Sequence, residues 1–432
     1  MTKTVCVIDS SWAGSIVTFH KIFVEVFLNL GCKVVSLSPA PDTVTSHINA
    51  VQPGALNNRF RAYRIENPRA REAAAVSLFY RAACRFRIDL LTGIPPTFRS
   101  LKYWGSTARQ LQLIQAESWR IDLAFFGFPD MEYMAPWLTP RVLDQVFPFK
   151  WSALYLGPIE FRMKLRLGNL LMLAHRNPEL FRARNCSAVT ILDEGIKNRL
   201  KDRLKGKPVI TLPDFTDERL GQTPGALETL IRERAGSRVV IGLFGELSLR
   251  KGVLTFLAAA RQAAAEGYDW LFVCVGSLGP KSCAPKEETA IRKAIAAAGS
   301  NCLFHLERIP DEPAYNGAIS ACSILYVAYW EFLHSSNTLL KAVIFGLPII
   351  GSKGYCIEER IKRYGLGVCI DERSASQAVK AISALSRWQD LDGEPLRPDF
   401  AGYRADHSIG QLKERLGELL TCNESEFAPT RN

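Results

Sequence analysis

Two short segments carry the side chains best suited to chemistry in this 432-residue sequence. The first is Gly242-Leu243-Phe244-Gly245-Glu246-Leu247-Ser248-Leu249-Arg250-Lys251-Gly252-Val253. An apolar run enters a glycine-punctuated turn, and a basic pair precedes the next helical pattern. Arg offers a planar fork of donors and Lys a compact point charge, so the pair suits a diphosphate. The second runs from Tyr329 through Glu331 and His334-Ser335-Ser336-Asn337-Thr338 to Lys341-Ala342. Its Ser335, Ser336 and Asn337 stand where a helix begins. There the free backbone N–H groups and the positive end of the dipole favour an anion. Ser and Asn are also the usual helix caps, so either segment alone is equally an ordinary turn. A third loop, Asp9-Ser10-Ser11-Trp12-Ala13-Gly14-Ser15, follows the first apolar run and lacks the Gly-x-Gly-x-x-Gly fingerprint of dinucleotide sites. The sequence contains no Gly-x-Ser-x-Gly, His-Glu-x-x-His or P-loop pattern, and no grouping of its six His and eleven Cys has metal-ligand spacing. No metal site is expected.

These segments need strands and helices to hold them. Val5–Ile8, Val34–Leu37, Leu123–Phe126, Ala153–Leu156, Val189–Leu192 and Val209–Leu212 read as strands in the first half, with a helix over 16–30 that Gly31 stops. A second series begins at Val239–Phe244. It continues through strands at Leu271–Val275, Cys302–His305, Ile324–Ala328 and Pro348–Gly351, with helices over 226–235, 253–265, 287–298, 313–320, 336–345, 357–364, 374–385 and 409–420. Strands alternating with helices in two blocks predict an α/β protein with two doubly wound, Rossmann-like domains facing a central cleft. The expected boundaries are 1–215, with a basic helical insertion at about 50–113, a linker at 216–236, a second domain at 237–400, and a closing helix and polar tail at 401–432.

Composition supports this class. Hydrophobic residues make up 47% and charged residues 22%, which excludes a disordered chain and a small disulfide scaffold. The scattered cysteines are expected as reduced thiols in a cytoplasmic protein, the first residues read as a strand rather than a signal peptide, and no apolar run is long enough to span a bilayer. The net charge of +11 is uneven: residues 1–200 hold 25 Lys/Arg against 15 Asp/Glu. The excess peaks between Arg59 and Arg109, beside Tyr63, Phe86, Tyr103 and Trp104. That pattern fits peripheral attachment to an anionic membrane surface as well as it fits a solvated helical face. Nucleic acid is not expected as a partner, because no binding module is recognisable.

In order and spacing, the second half resembles the nucleotide-sugar domain of the family 4 (group 1) glycosyltransferases of GT-B fold. The resemblance rests on Gly245…Arg250-Lys251-Gly252, Val273-Cys274-Val275-Gly276-Ser277, Ala318–Ala328, Glu331 with Ser335–Ala342, Gly346-Leu347-Pro348-Ile349-Ile350-Gly351-Ser352 and Gly365-Leu366-Gly367. It covers about 238–370; the first half matches in architecture only. It implies transfer of a sugar from a nucleotide-diphosphate sugar to the hydroxyl of a carbohydrate or lipid-linked acceptor, with retention and without metal, in polysaccharide or glycoconjugate synthesis. Arg250, Lys251 and Glu331 would be catalytic. Gly14, Gly245, Arg250, Lys251, Ser335, Ser336, Asn337 and Lys341 would line the donor site. The family usually places a second glutamate, contacting the ribose, where alignment around Leu340-Lys341-Ala342 puts Lys341 and strict spacing from Glu331, two residues shorter, puts Leu339; either way the acidic pair is broken. A nucleotide-sugar 2-epimerase and a non-catalytic binding subunit are the alternatives.

Overall fold

The computed structural model describes residues 2–12, 14–66, 94–117, 119–129, 132–162, 177–279 and 283–422. The chain divides into two units, Met1–Pro213 with Ile409–Asn432, and Asp214–Ser408.

The first unit is built on a seven-stranded sheet ordered β3-β2-β1-β4-β5-β6-β7, in which every pairing is parallel. Its strands are β1 (Thr4–Ile8), β2 (Lys33–Ser38), β3 (Phe60–Arg64), β4 (Leu123–Phe126), β5 (Trp151–Leu154), β6 (Cys186–Ile191) and β7 (Val209–Thr211). All five residues of β1 are buried, as expected for a central parallel strand with both faces covered. Helix α1 (Ser15–Asn29) buries Phe19, Phe23, Val26 and Phe27 along one face, and Phe23 packs edge-to-face on Phe125 of β4 at 4.9 Å. Helices α2 (Pro41–Val51), α3 (Ile94–Glu117), α4 (Pro140–Val146) and α5 (Lys197–Arg203) complete the connections among the described residues.

Two expectations change here. Phe60–Arg64, read as part of a helical insertion, is the edge strand β3. Tyr103 and Trp104, read as part of an aromatic surface, are core residues only 2% and 1% exposed. The Trp104 indole donates to the Tyr133 carbonyl at 2.9 Å, and its ring lies 4.8–5.1 Å from those of Phe126, Tyr133, Phe147 and Trp151. The apolar face of α3 is thus spent inside the unit, while Arg109 and Phe98 stay exposed. Phe86 and the middle of the basic region, 67–93, lie outside the described residues.

The second unit holds a six-stranded parallel sheet ordered β10-β9-β8-β11-β12-β13. The strands are β8 (Val239–Phe244), β9 (Trp270–Val275), β10 (Cys302–His305), β11 (Ile324–Val327), β12 (Ile349–Ser352) and β13 (Gly367–Ile370). Helices α6 (Ala226–Ala235), α7 (Val253–Ala265), α8 (Pro285–Ala296), α9 (Glu312–Ser320), α10 (Asn337–Ile344), α11 (Tyr355–Tyr364), α12 (Ala375–Leu385) and α13 (Phe400–Asp406) flank it. The segment expected as a linker, 216–236, groups with this unit and carries α6. The final helix α14 (Ile409–Cys422) returns to the first unit, where it packs on α1.

The chain enters the second unit at Asp214 and leaves it near His407, and the two points are joined. The Asp214 N–H donates to His407 Nδ1 at 3.0 Å, while the Asp214 carboxylate accepts from Arg360 and, at 3.2 Å, from Tyr403. Arg360 is 1% exposed, so its charge is neutralised where water is absent. Among the described residues no helix is long and apolar enough to cross a membrane, and the cysteines are unpaired.

Candidate functional site

In the second unit, the crossovers from β8 run to one side of the sheet and those from β11 to the other. The crevice between the carboxyl ends of β8 and β11 is therefore the topological switch point, where doubly wound folds take their ligands. The two reactive segments of the sequence are the continuations of these two strands.

After β8 the chain turns through Gly245 (φ 111°), whose N–H donates to the Val275 carbonyl at 3.0 Å. Gly276, after β9, approaches so closely that a Cβ there would lie 1.6 Å from the Gly245 carbonyl oxygen. Leu249–Lys251 forms a short 3-10 turn, and Gly252 (φ 74°) leads into α7. A Cβ on Gly252 would sit 2.7 Å from the Ala328 carbonyl, so glycine lets the two segments touch. The Trp330 N–H donates to the Arg250 carbonyl at 2.8 Å, locking them together. The Lys251 ammonium stands 3.9 Å from the Tyr329 ring centre and 5.6 Å from that of Phe332. The Arg250 guanidinium lies 5.1 Å from the Phe332 ring centre. Aromatic faces attract these cations and fix their position without neutralising them, leaving their charge for an anion.

Helix α10 begins at Asn337 with Ser336 as its cap residue. The Ser336 carbonyl accepts from Leu339 N–H at 3.0 Å, but its side chain makes no cap bond. Ser336 is 4% exposed, and both its Oγ and Asn337 Oδ1 are buried without a hydrogen-bond partner. Tyr326 Oη, Tyr329 Oη and Trp330 Nε1 share that condition. Of the six such atoms in this unit, among the described residues, five lie between 326 and 337. A buried polar atom left unpaired costs about 1–3 kcal/mol, so these groups are available to bond water or a ligand.

The structure therefore brings Gly245, Arg250 and Lys251 together with the Tyr329–Asn337 segment that carries Glu331, Ser335 and Ser336. Glu331 is exposed and adopts φ 41°, a left-handed conformation uncommon outside glycine. Its N–H donates to Glu372 Oε1 at 2.7 Å. Burial, and then the nearby Glu331 charge, raise the Glu372 carboxyl above the ordinary carboxylate range. Arg373 stacks over Trp330 at 4.1 Å.

Lys341 is placed differently. It is 4% exposed, one turn into α10, and its ammonium binds Glu312 Oε2 at 3.1 Å, the Asp217 carbonyl at 3.2 Å and the Asn316 side-chain oxygen. Burial lowers its pKa, opposed by Glu312. Its charge is committed to α9 and the segment entering the unit. Gly14 belongs to the first unit, where it caps α1 with φ 55° beyond the carboxyl end of β1.

Sequence reasoning did not single out Glu372 because it read no strand after Gly365-Leu366-Gly367; Gly367 opens β13, and Glu372 follows that strand's carboxyl end. It also missed a buried relay under the Asp9–Gly14 loop. His20 Nδ1 pairs with Asp9 Oδ2 at 2.7 Å and His20 Nε2 with Ser36 Oγ at 2.8 Å. The order is that of a hydrolase triad, but Ser36 is fully buried on β2, so no substrate reaches it. The relay anchors the loop instead. The signal available was His20 on the buried face of α1, eleven residues after an acid ending a strand.

Comparison with known proteins bears on the fold and on the family of the second unit. Residues 238–387 match the family described as glycosyl transferases group 1. No curated protein matches the sequence. Among solved structures, sucrose-phosphate synthase from Thermosynechococcus elongatus is similar at 14% identity, covering 97% of this chain and 98% of that one, with a TM-score of 0.66. Anabaena HepE in complex with UDP-glucose is similar at 12% identity over 98% of this chain and 100% of that one, with a TM-score of 0.64. WaaG, a glycosyltransferase involved in lipopolysaccharide biosynthesis, is similar at 14% identity over 97% and 99%, with a TM-score of 0.58. The fold is GT-B, and the group 1 resemblance read over about 238–370 is matched over 238–387.

Proposed function

We propose, from the premise that this chain is a glycosyltransferase of GT-B fold with a group 1 domain at 238–387, that it moves a sugar from a nucleotide-diphosphate sugar to an acceptor hydroxyl with retention and without a metal ion. The observation that carries this reading is the set of five unpaired polar atoms at the switch point, beside two cations held on aromatic rings. In the transfer, the bond from the anomeric carbon to the diphosphate oxygen breaks and its electron pair goes to the diphosphate. The acceptor oxygen bonds the anomeric carbon from the same face, and its proton passes to the departing phosphate oxygen. Arg250 and Lys251 neutralise the charge that develops, and the first backbone N–H groups of α10, beginning with Asn337, together with the Ser336 hydroxyl, donate to it. This charge compensation is what a divalent ion would otherwise supply. Glu331 faces the sugar, and Gly14 belongs to the acceptor side.

The acceptor is a carbohydrate or a lipid-linked carbohydrate, in polysaccharide or glycoconjugate synthesis on the cytoplasmic side. HepE is described with UDP-glucose and WaaG in lipopolysaccharide biosynthesis, which supports both halves of the reaction. The basic excess of 59–109 favours an anionic membrane surface, with Phe98, 63% exposed on α3, as an apolar contact. The test is release of nucleoside diphosphate from UDP-, GDP- and ADP-sugars in EDTA, with and without lipid-linked glycan acceptors, and NMR of the product anomer. Metal-independent release with one base, and a product of unchanged anomeric configuration, is expected. Release only with added metal, or an inverted product, overturns the corresponding part.

A further inference from the structure

The sequence has a lysine where the second acid of the pair is expected, and the fold buries that lysine against Glu312. A carboxylate nevertheless stands beside Glu331, and it comes from a different strand. Glu372 follows β13, forty-one residues after Glu331, and its Oε1 accepts the Glu331 N–H at 2.7 Å. We propose that Glu372 is a positioning residue for the transfer reaction: its carboxylate holds the Glu331 backbone, and with it the Glu331 side chain, at the mouth of the switch point.

The geometry calls for such a residue. Glu331 carries φ 41°, a conformation that costs a non-glycine residue free energy and persists only where surrounding contacts hold it. Its neighbours on the amino-terminal side are pinned: Tyr329 N–H donates to the Val327 carbonyl at 2.9 Å and Trp330 N–H to the Arg250 carbonyl at 2.8 Å. The Glu331 amide is the next in line, and its partner is a charge-assisted acceptor, the stronger kind of hydrogen bond. Arg373, adjacent to Glu372, stacks on Trp330 at 4.1 Å, so the β13 loop grips the β11 loop at two successive residues. The charged groups facing the Glu372 carboxyl are Glu331 from the β11 loop and Arg373 from its own loop. Next to them, Lys353 is engaged with Asp371 at 2.9 Å. Burial and the Glu331 charge raise the Glu372 carboxyl, so the bond weakens from a higher pH than an ordinary carboxylate sets.

The inference rests on the reading of Glu331 as a residue of the transfer site, and its tests separate the two. Hydrogen exchange of the full-length protein reads the positioning with no ligand present. In Glu372→Ala, amides of the 329–335 peptide should exchange at least tenfold faster than wild type, while Glu372→Gln, which keeps an acceptor oxygen, stays within threefold. Peptides from α7 and β8 should not change in either variant. Turnover is then measured by diphosphate release from UDP-glucose, GDP-mannose and ADP-glucose. Glu372→Ala should lower kcat at least tenfold with nucleotide affinity within twofold, and Glu372→Gln should retain most of the rate and lose the acid limb of the pH profile. Unchanged exchange in Glu372→Ala overturns the proposal. A Glu331→Ala variant that loses turnover beside a Glu372→Ala variant that keeps it overturns the proposal alone. A Glu331→Ala variant with full turnover removes the reading of Glu331 and the proposal with it.

Discussion

Replacing Lys341 with glutamate would return to this position the acid that the family resemblance implies, yet the structure predicts loss of stability without gain of function. Every polar partner of the Lys341 ammonium is an acceptor: Glu312 Oε2 at 3.1 Å, the Asp217 carbonyl at 3.2 Å and the Asn316 side-chain oxygen. A carboxylate can bond to none of them and adds a like charge against Glu312. The lysine side chain is 5% exposed and that of Glu312 34%, so water solvates only one side of the pair. Removing one partner of a buried pair costs about 3–5 kcal/mol, and the partial exposure of Glu312 puts Lys341→Met near about 2–3 kcal/mol. The repulsion in Lys341→Glu restores the full cost of about 3–5 kcal/mol, a large share of the 5–15 kcal/mol typical of a folded protein. Urea unfolding reads it: the midpoint of the second unit's transition should fall for Lys341→Met and fall further for Lys341→Glu. The exchanged pair Glu312→Lys with Lys341→Glu should recover part of the loss. A Lys341→Glu variant as stable as wild type and tighter for nucleotide would refute the reasoning and return residue 341 to the donor site.

Two further outcomes follow from particular contacts. Gly276→Ala places a methyl 1.6 Å from the Gly245 carbonyl at φ 150°, so both loops must move; we expect a loss of about 3 kcal/mol or more in urea unfolding and at least tenfold in nucleotide affinity, and wild-type values in both would show that the loops do not touch. Asp9 is buried, and burial raises its carboxyl above the ordinary 3.8 against the opposing pull of His20. The folded state thus holds that proton more tightly than the unfolded chain. Asp9's contribution to stability is fully present below pH 3.8 and is lost as pH rises through its raised folded value. Asp9→Asn removes this dependence, so the stability difference between variant and wild type should shift in the variant's favour as pH rises from about 3.5 to 5.5, below the usual histidine range. A difference flat across that range would mean that Asp9 titrates alike in both states.

The central strands were legible because parallel strands covered on both faces read as unbroken apolar runs, as Val5–Ile8 and Val239–Phe244 do. Phe60–Arg64 was not, since only Phe60 of this edge strand is buried and its exposed arginines resemble a solvated helix. Helix α3 read as fragments because its polar face is long and its aromatic anchors looked like surface. Arg250, Lys251, Ser336 and Asn337 were legible in their placement because they follow two strands that flank a switch point, a rule of topology rather than of composition. Lys341 and Glu372 were not, because their surroundings are set by residues far along the chain: Glu312 and Asn316 on α9 for the first, Glu331 for the second. Spacing places a residue on an element; only packing decides which neighbour claims its charge.

The central claim is that the switch point of the second unit holds a nucleoside diphosphate through Lys251, and titration calorimetry tests it most directly. The full chain is titrated with UDP, GDP and ADP in EDTA, and the tightest binder is repeated on Lys251→Ala. Losing a charge-assisted bond to phosphate costs about 1.5–3 kcal/mol, so the account predicts saturable binding of one nucleotide that weakens about 10- to 100-fold in the variant. Binding of equal strength in Lys251→Ala, or none of the three nucleotides binding to the wild type, would contradict it.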